Sequence, residues 1–266
     1  MKVAFITAIF NGSIAYERSC KPHVQQTVPA SFICFSNANP VSNGWTINNT
    51  PWHYMHPSPL DGGQGRNSLA KNTHIFNIAK YYKQAWRNIP ILAEYDVVIW
   101  LDATVEITDP NCTRTVLQAL GQSPIATFEH DWRNGCLKDE VVDSLFDKYT
   151  SPNWMGQLQP VQPVVQQYAK YVARGYREDL WRTLVPERPS AGVYLTCFVA
   201  VTVCPQALAF MDAWYLETLH ETTQDQISFP YVLQQLNIIP YAWPNEGVIG
   251  EASTRTTFYI KHNHGR

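Results

Sequence analysis

The strongest strand signal in the chain is followed by an aspartate. Residues 95–101 read YDVVIWL, and Asp102 follows them directly. In open α/β sheets, ligands bind beyond the carboxyl ends of the strands. A carboxylate placed there suits a divalent cation or a ribose hydroxyl. An aspartate at a strand end can also serve only to form a turn, so the spacing leaves both interpretations of Asp102 open.

A second group of chemically capable residues follows a shorter apolar segment. His130, Asp131 and Arg133 come directly after residues 124–128, PIATF, and Glu129. This loop could bind a hydroxylated ligand and its phosphates, since a guanidinium pairs well with phosphate oxygens. It could equally be a surface loop held by salt bridges.

A third group opens a predicted helix near the carboxyl end of the chain. Asp225 and Gln226 stand at the start of the segment 224–236. Negative side chains are favoured at helix N-termini, so Asp225 can be explained as a capping acid. The functional alternative is a carboxylate directed at a sugar.

The last residues of the chain concentrate basic and imidazole groups. Lys261, His262, His264 and Arg266 lie within six residues. Histidines two apart fall on one side of an extended segment and can share a metal ion. The same cations could bind a diphosphate, and a frayed, solvated end is the plain alternative.

Two further basic residues, Arg66 and Lys71, flank the start of a predicted helix. They follow a glycine-rich loop at residues 61–65, DGGQG. This loop lacks the spacing of a P-loop, and no nucleophile elbow of the serine-hydrolase type occurs.

The elements that must position these residues alternate between strands and helices. Apolar runs predict strands at 3–10, 31–36, 95–101, 124–128 and 192–203. Helical spacing predicts helices at 67–86, 113–120, 161–174, 206–220 and 224–236, the last kinked or divided by Pro230. This alternation predicts an α/β fold with a mostly parallel central sheet flanked by helices. We expect one domain over residues 1–266.

Composition excludes several classes of protein. The 266 residues are 45% hydrophobic and only 16% charged, which argues against a disordered chain. A net charge of −2 disfavours general nucleic-acid binding, which depends on phosphate neutralisation. The six cysteines are scattered and form no C-x-x-C pair, and no signal peptide is recognised, which predicts a reduced, cytoplasmic protein. No apolar segment is long enough to cross a bilayer, so we expect no membrane span.

Taken together, three motifs resemble those of a known family. The motifs are VVIWLDATVEI at 97–107, His130, Arg133 and Cys136 in the stretch HDWRNGC (with Glu140 after it), and W-Y-x-E followed by DQISFPY at 225–231. They are similar to motifs of the glycosyltransferase-like domain of plant mucilage-related and turgor-related proteins and of bacterial and viral relatives, where the second motif reads H-x-x-R-x-C. The similarity covers roughly residues 1–240, and DQISFPY is its most specific part.

That resemblance implies a GT-A fold, a Rossmann-like α/β domain that binds a nucleoside diphosphate sugar. It implies transfer of the sugar, from a UDP-sugar by preference, to the hydroxyl of a glycan or another acceptor, with retention of configuration, as in polysaccharide biosynthesis. Asp225 and Gln226 would then lie near the reacting carbon. The remaining implied roles are donor binding by Arg66, Lys71, Asp102, Thr104, His130, Arg133 and Lys261, and metal binding by Asp102, His262 and His264.

One departure from the pattern bears on the metal. Many GT-A enzymes carry Asp-x-Asp where this chain has Asp102 and Thr104, and threonine is a weak ligand beside a carboxylate. We therefore expect a divalent cation, Mn²⁺ or Mg²⁺, to bind the diphosphate of the donor. The alternative is that arginine and lysine side chains hold the diphosphate without a metal. Two alternatives for the whole protein also stay open: a non-catalytic sugar- or nucleotide-binding protein, and a metal-dependent hydrolase that uses Asp102, His130, Asp131 and the tail histidines.

Overall fold

A computed structural model gives the fold of most of the chain. It describes residues 1–10, 18–50, 77–130, 133–145, 161–188, 190–244, 249–250, 253–255 and 258–262. Five residues singled out in the sequence lie outside these ranges: Arg66, Lys71, Asp131, His264 and Arg266. The first ten residues of the predicted helix 67–86 lie outside them as well.

A seven-stranded sheet forms the centre of the molecule. Its strand order is β3-β2-β1-β4-β7-β6-β8; β7 runs antiparallel to β4 and β6, and the other pairs are parallel. The strands are β1 Val3–Ile9, β2 Ser31–Ser36, β3 Thr46–Asn49, β4 Val97–Leu101, β6 Ile125–Glu129, β7 Tyr194–Thr202 and β8 Tyr241–Trp243. This sheet confirms the predicted α/β class with a mostly parallel sheet, and it is consistent with the Rossmann-like GT-A fold.

Seven α-helices accompany the strands in the described ranges, with short 3-10 turns at Trp86–Asn88 and Pro90–Leu92. The α-helices are α1 Asn77–Gln84, α2 Cys112–Leu120, α3 Leu137–Asp143, α4 Val164–Ala173, α5 Glu178–Leu184, α6 Pro205–His220 and α7 Asp225–Gln235. The short helices α3 and α5 were not predicted. None of the described helices has the length and apolar character needed to cross a membrane.

Both faces of the central strands are covered, which explains their unbroken apolar sequences. Side chains alternate between the faces, so Ile6 and Trp100 pack into one core while Phe5 and Ile99 pack into the other. The first core lies under helices α1 and α3–α7, and the second lies under α2 and a small second sheet.

Helix α7 continues through Pro230, so of the two predicted effects of this proline, a kink or a division, the division does not occur. A proline inside a helix removes one backbone hydrogen bond. Nine of the eleven residues of α7 are buried, among them Ile227, Phe229 and Leu233. Packing on this scale offsets the loss, and the helix is retained.

The end of the chain forms an antiparallel sheet that the sequence did not predict. Its order is β5-β11-β10-β9, with β5 Val105–Ile107, β9 Ile249–Gly250, β10 Ser253–Arg255 and β11 Tyr259–His262. In this register Lys261 lies opposite Val105, three residues after Asp102. The pairing therefore brings the basic tail to the carboxyl end of β4.

Candidate functional site

Asp102 occupies the position after β4 that the sequence predicts. Its backbone N–H donates to the carbonyl of Cys197 on β7 at 2.9 Å. The indole Nε1 of Trp100 donates to its Oδ1 at 2.7 Å. The side chain remains 36% exposed. The carboxylate is thus held on one side by Trp100 of β4 and remains accessible to solvent on the other side.

Asp225, the first residue of α7, is held much more tightly. Its Oδ2 lies 2.7 Å from Nζ of Lys80 and 2.6 Å from Nζ of Lys83. Its Oδ1 accepts a hydrogen bond from Thr196 Oγ1 at 3.1 Å, and the side chain is only 6% exposed. These partners, rather than free N–H groups of the helix, take up the carboxylate, which argues against a purely capping role.

Lys83 connects the two aspartates. Its ammonium group ion-pairs with Asp225 and lies 3.8 Å from Asp102 Oδ1, while the side chain is 1% exposed. It also lies over the rings of Trp100 and Trp214, at 5.8 and 5.4 Å from their centroids, a cation–π arrangement. The Lys83 ammonium group therefore lies between the two carboxylates and is packed against aromatic side chains.

Sequence reasoning missed Lys80 and Lys83. Both lie within the predicted helix 67–86, and their spacing of three residues places them on one helix face. Two lysines side by side on one face of a predicted helix are a detectable signal. Only the packing of α1 against α6 and the sheet shows that this face meets Asp225.

The charges in this cluster shift one another's pKa values. Burial alone would raise the pKa of Asp225, but Lys80 and Lys83 outweigh it and hold the pKa well below its usual value. Burial also opposes ionisation of Asp102, yet Lys83 and Lys261 lower its pKa on balance. Burial is the dominant cause for Lys80, whose pKa falls to about 8 although Asp225 favours the charged form. Both aspartates are therefore ionised at neutral pH.

Lys261 on β11 faces the same cluster. Along a strand, side chains alternate between faces, so Lys261 shares a face with Tyr259, whose hydroxyl lies 3.7 Å from Cys197 Sγ. Cys197 and, despite opposing burial, Asp102 raise the pKa of Lys261. The neighbouring His262 belongs to the other face, where its Nε2 lies 2.7 Å from Glu106 Oε2.

Two residues of the motif at 130–136, His130 and Arg133, converge on Glu140 of α3. His130 Nε2 lies 3.9 Å from Glu140 Oε2, and Arg133 Nε donates to the same oxygen at 2.8 Å. Arg133 also ion-pairs with Asp143. The charge of Glu140 acts on Lys261, so this motif borders the aspartate–lysine cluster. The motif residues form a mostly buried network rather than a solvated surface loop.

Two other predicted residues have less defined surroundings. Thr104 is fully buried, and its hydroxyl has no hydrogen-bond partner among the described residues. Its carbonyl accepts the backbone N–H of His262 at 2.9 Å, which ties β11 to the turn after Asp102. Gln226 follows Asp225 in the first turn of α7 and is half-buried.

The described residues do not by themselves fit a divalent cation. No group of three or more His, Cys, Asp or Glu side chains in the described ranges could hold a metal ion. Asp102 accepts from Trp100 and faces Lys83, and His262 is engaged by Glu106. The expected metal site on Asp102, His262 and His264 stays a prediction, because His264 lies outside the described residues.

The fold and this cluster define an α/β protein with a charged site at the carboxyl edge of a mostly parallel sheet. No family model matches the chain, and no curated protein matches it. Among solved structures, the chain is similar to the WbbM bifunctional glycosyltransferase in its apo form, with a TM-score of 0.44 and 11% identity. The similarity covers 90% of this chain and 38% of that one. Similarity at this level does not by itself assign a function to this chain.

Proposed function

We propose that this protein is a glycosyltransferase that moves a sugar from a nucleoside diphosphate sugar to an acceptor hydroxyl. One observation carries the proposal: an open carboxylate, Asp102, and a buried ionised carboxylate, Asp225, meet at the carboxyl edge of the sheet with Lys83 between them. This edge is where ligands bind in folds of this type. The DQISFPY motif, to which Asp225 belongs, supports the same function.

Asp102 is suited to contact the donor. Its carboxylate is exposed enough to accept hydrogen bonds from a ribose or sugar hydroxyl, and Trp100 fixes its orientation. The backbone N–H of Asp102 donates to Cys197 and the Trp100 indole donates to the carboxylate, so the residue is held before a ligand arrives and little ordering is needed on binding.

Asp225 is suited to stabilise positive charge. Breaking the bond between sugar and diphosphate gives a transition state that resembles an oxocarbenium ion, and a fixed negative charge nearby lowers its energy. The pKa of Asp225 lies below its usual value, which makes it a poor proton acceptor at neutral pH. We therefore assign it electrostatic stabilisation at the reacting carbon, with Gln226 beside it, and transfer with retention remains part of the proposal.

His130 and Arg133 are placed to complete the binding surface. They border the cluster through Glu140 and Lys261. A guanidinium and an imidazole there would face the phosphates of the donor or the hydroxyls of the acceptor. No step of this scheme depends on a divalent cation.

A donor screen tests the proposal. The protein is incubated with UDP-, GDP-, TDP- and CMP-sugars, in Mn²⁺ or EDTA, and release of the nucleotide is followed. We expect release from one donor, with a loss of about a hundredfold or more in Asp102→Ala and Asp225→Asn. Lys2→Gln, at the opposite edge of the sheet, serves as control because Lys2 pairs only with surface acids there.

Each other result has a distinct meaning. Binding of a nucleotide sugar without release, also in the presence of acceptor glycans, would favour the non-catalytic binding protein. Release of phosphate from simple esters without any sugar donor would favour the hydrolase. No binding of any nucleotide sugar would contradict the proposed function.

A further inference from the structure

The three lysines of the site differ in the ion pairs that they form. Lys80 and Lys83 both ion-pair with Asp225, and Lys83 also faces Asp102. Lys261 makes no ion pair within 4 Å with any described residue, although the charge of Asp102 raises its pKa. Among these three ammonium groups of the described site, Lys261 is the one not already neutralised by a contact.

We infer that Lys261 binds the diphosphate of the donor directly, so that donor binding does not require a divalent cation. This inference rests on the proposed function and specifies how the donor's negative charge is held.

The register of the small sheet supports the placement. Lys261 pairs with Val105, and the N–H of Val105 donates to the carbonyl of Asp102 at 2.8 Å. On the same face as Lys261, Tyr259 is buried against Cys197, the residue whose carbonyl holds the N–H of Asp102. Hydrogen bonds on both sides of Asp102 thus tie the strand that carries Lys261 to the turn that carries the open carboxylate.

The surroundings of Asp102 favour an anion over a second cation. The three ammonium groups of Lys80, Lys83 and Lys261 stand against the two carboxylates of Asp102 and Asp225, so these five groups carry one net positive charge. A dication bound at Asp102 would be repelled by these ammonium groups, whereas a diphosphate would be attracted. A lysine beside a leaving diphosphate can supply the charge stabilisation that a metal gives elsewhere.

Binding of free nucleotides tests the inference without any turnover. UDP, GDP and TDP, together with the matching monophosphates and nucleosides, are titrated into the full chain by calorimetry in EDTA and in Mn²⁺. We expect one diphosphate to bind in EDTA with an affinity within about threefold of that in Mn²⁺. Lys261→Gln should weaken this diphosphate about tenfold or more, because a charge-assisted contact is lost.

The comparison of ligands separates contact with phosphate from a structural role. Lys261→Gln should leave nucleoside binding within about twofold, Lys261→Arg should restore most of the diphosphate affinity, and Lys2→Gln should change neither. Circular dichroism confirms that each variant is folded. If Lys261→Gln does not fold, the binding of diphosphate to the unmodified chain in EDTA still decides the metal question.

Two results would overturn the inference while leaving the proposed function intact. One is diphosphate binding that appears only with Mn²⁺, and the other is an equal loss of nucleoside and diphosphate binding in Lys261→Gln. Failure of every nucleotide and nucleotide sugar to bind in either condition would instead contradict the proposed function, and the inference with it.

Discussion

Two carboxylates at one edge of the sheet have opposite surroundings. Asp225 is 6% exposed and is contacted by Lys80, Lys83 and Thr196 at 2.6–3.1 Å. Asp102 is 36% exposed and has one hydrogen bond from Trp100 and a more distant ammonium group at 3.8 Å. The same residue type is thus a buried, ion-paired carboxylate in one place and an open carboxylate in the other.

The difference indicates how such a site is built. A buried charge is tolerated only when it is paired and hydrogen-bonded, so the groups around Asp225 must be held firmly in place. Behind it, Gln162 contacts Thr223 with two hydrogen bonds, and Gln167 accepts from Thr222, which anchors the start of α7. The surroundings of Asp225 are tightly held, whereas Asp102 beside them is partly exposed. Substitutions at the two aspartates should therefore affect stability differently.

The largest effect on stability is expected for Asp225→Ala. It removes the nearest counter-ion of two buried ammonium groups, which costs about 3–5 kcal/mol. Asp102→Ala removes a partly exposed group and should cost about 1 kcal/mol or less. Urea unfolding of both variants measures the comparison. Equal losses in the two variants would show that the two carboxylates do not differ in the way described.

The next effect concerns Lys83, which touches both regions. Lys83→Met should cost about 3 kcal/mol, because Asp225 keeps Lys80 as a partner but loses one of the two ammonium groups that contact it. Double-mutant cycles with Asp225→Asn and with Asp102→Asn give the two coupling energies. The coupling to Asp225 should be the larger, since the distance is 2.6 Å against 3.8 Å. A larger coupling to Asp102 would reverse the comparison.

Most of the central sheet could be predicted from the sequence, and the reason is physical. The strands β1, β2, β4, β6 and β7 are apolar almost throughout because both faces of the sheet are covered. Strands β5 and β8–β11 are two to four residues long and carry too little periodicity to be recognised.

The site was predicted only in part, for a related reason. Asp102 and Asp225 follow boundaries between elements, and such positions are visible in the sequence. Lys80 and Lys83 lie inside a helix, where a lysine ordinarily faces solvent. Their burial depends on contacts between α1 and residues about 130–145 positions later, which no local pattern encodes.

A smaller effect is expected from the ionisation of Lys80. Its pKa of about 8 lies below that of an unfolded lysine, so between pH 8 and about 10.5 the native state holds fewer protons than the unfolded state. The contribution of Lys80 to stability therefore increases as the pH rises through that window. The facing charges that take part are Asp225, Lys83 and Asp102.

The measurement is the free energy of unfolding of the wild type and of Lys80→Met at pH 7 and pH 9.5. The difference between the two proteins should shift in favour of the wild type at the higher pH. Lys2→Met is the control, because the pKa of Lys2 is raised by its pairing with Glu94 and no gain is expected there. A shift toward the variant would contradict the assignment of burial as the dominant influence on Lys80.

The smallest effect on stability is expected at His262, which is partly exposed like Asp102. A carboxylate can only accept a hydrogen bond, so Nε2 of His262 donates to Glu106 at 2.7 Å. Both side chains are partly exposed, at 32% and 27%, and His262→Gln should cost only about 0–1 kcal/mol. Thermal unfolding with and without Mn²⁺ makes the measurement informative about function as well. If His262 only pairs with Glu106, Mn²⁺ raises the Tm of the wild type and of the variant by the same amount. A Tm increase confined to the wild type would instead make His262 a metal ligand and would place a cation, rather than Lys261 alone, beside Asp102.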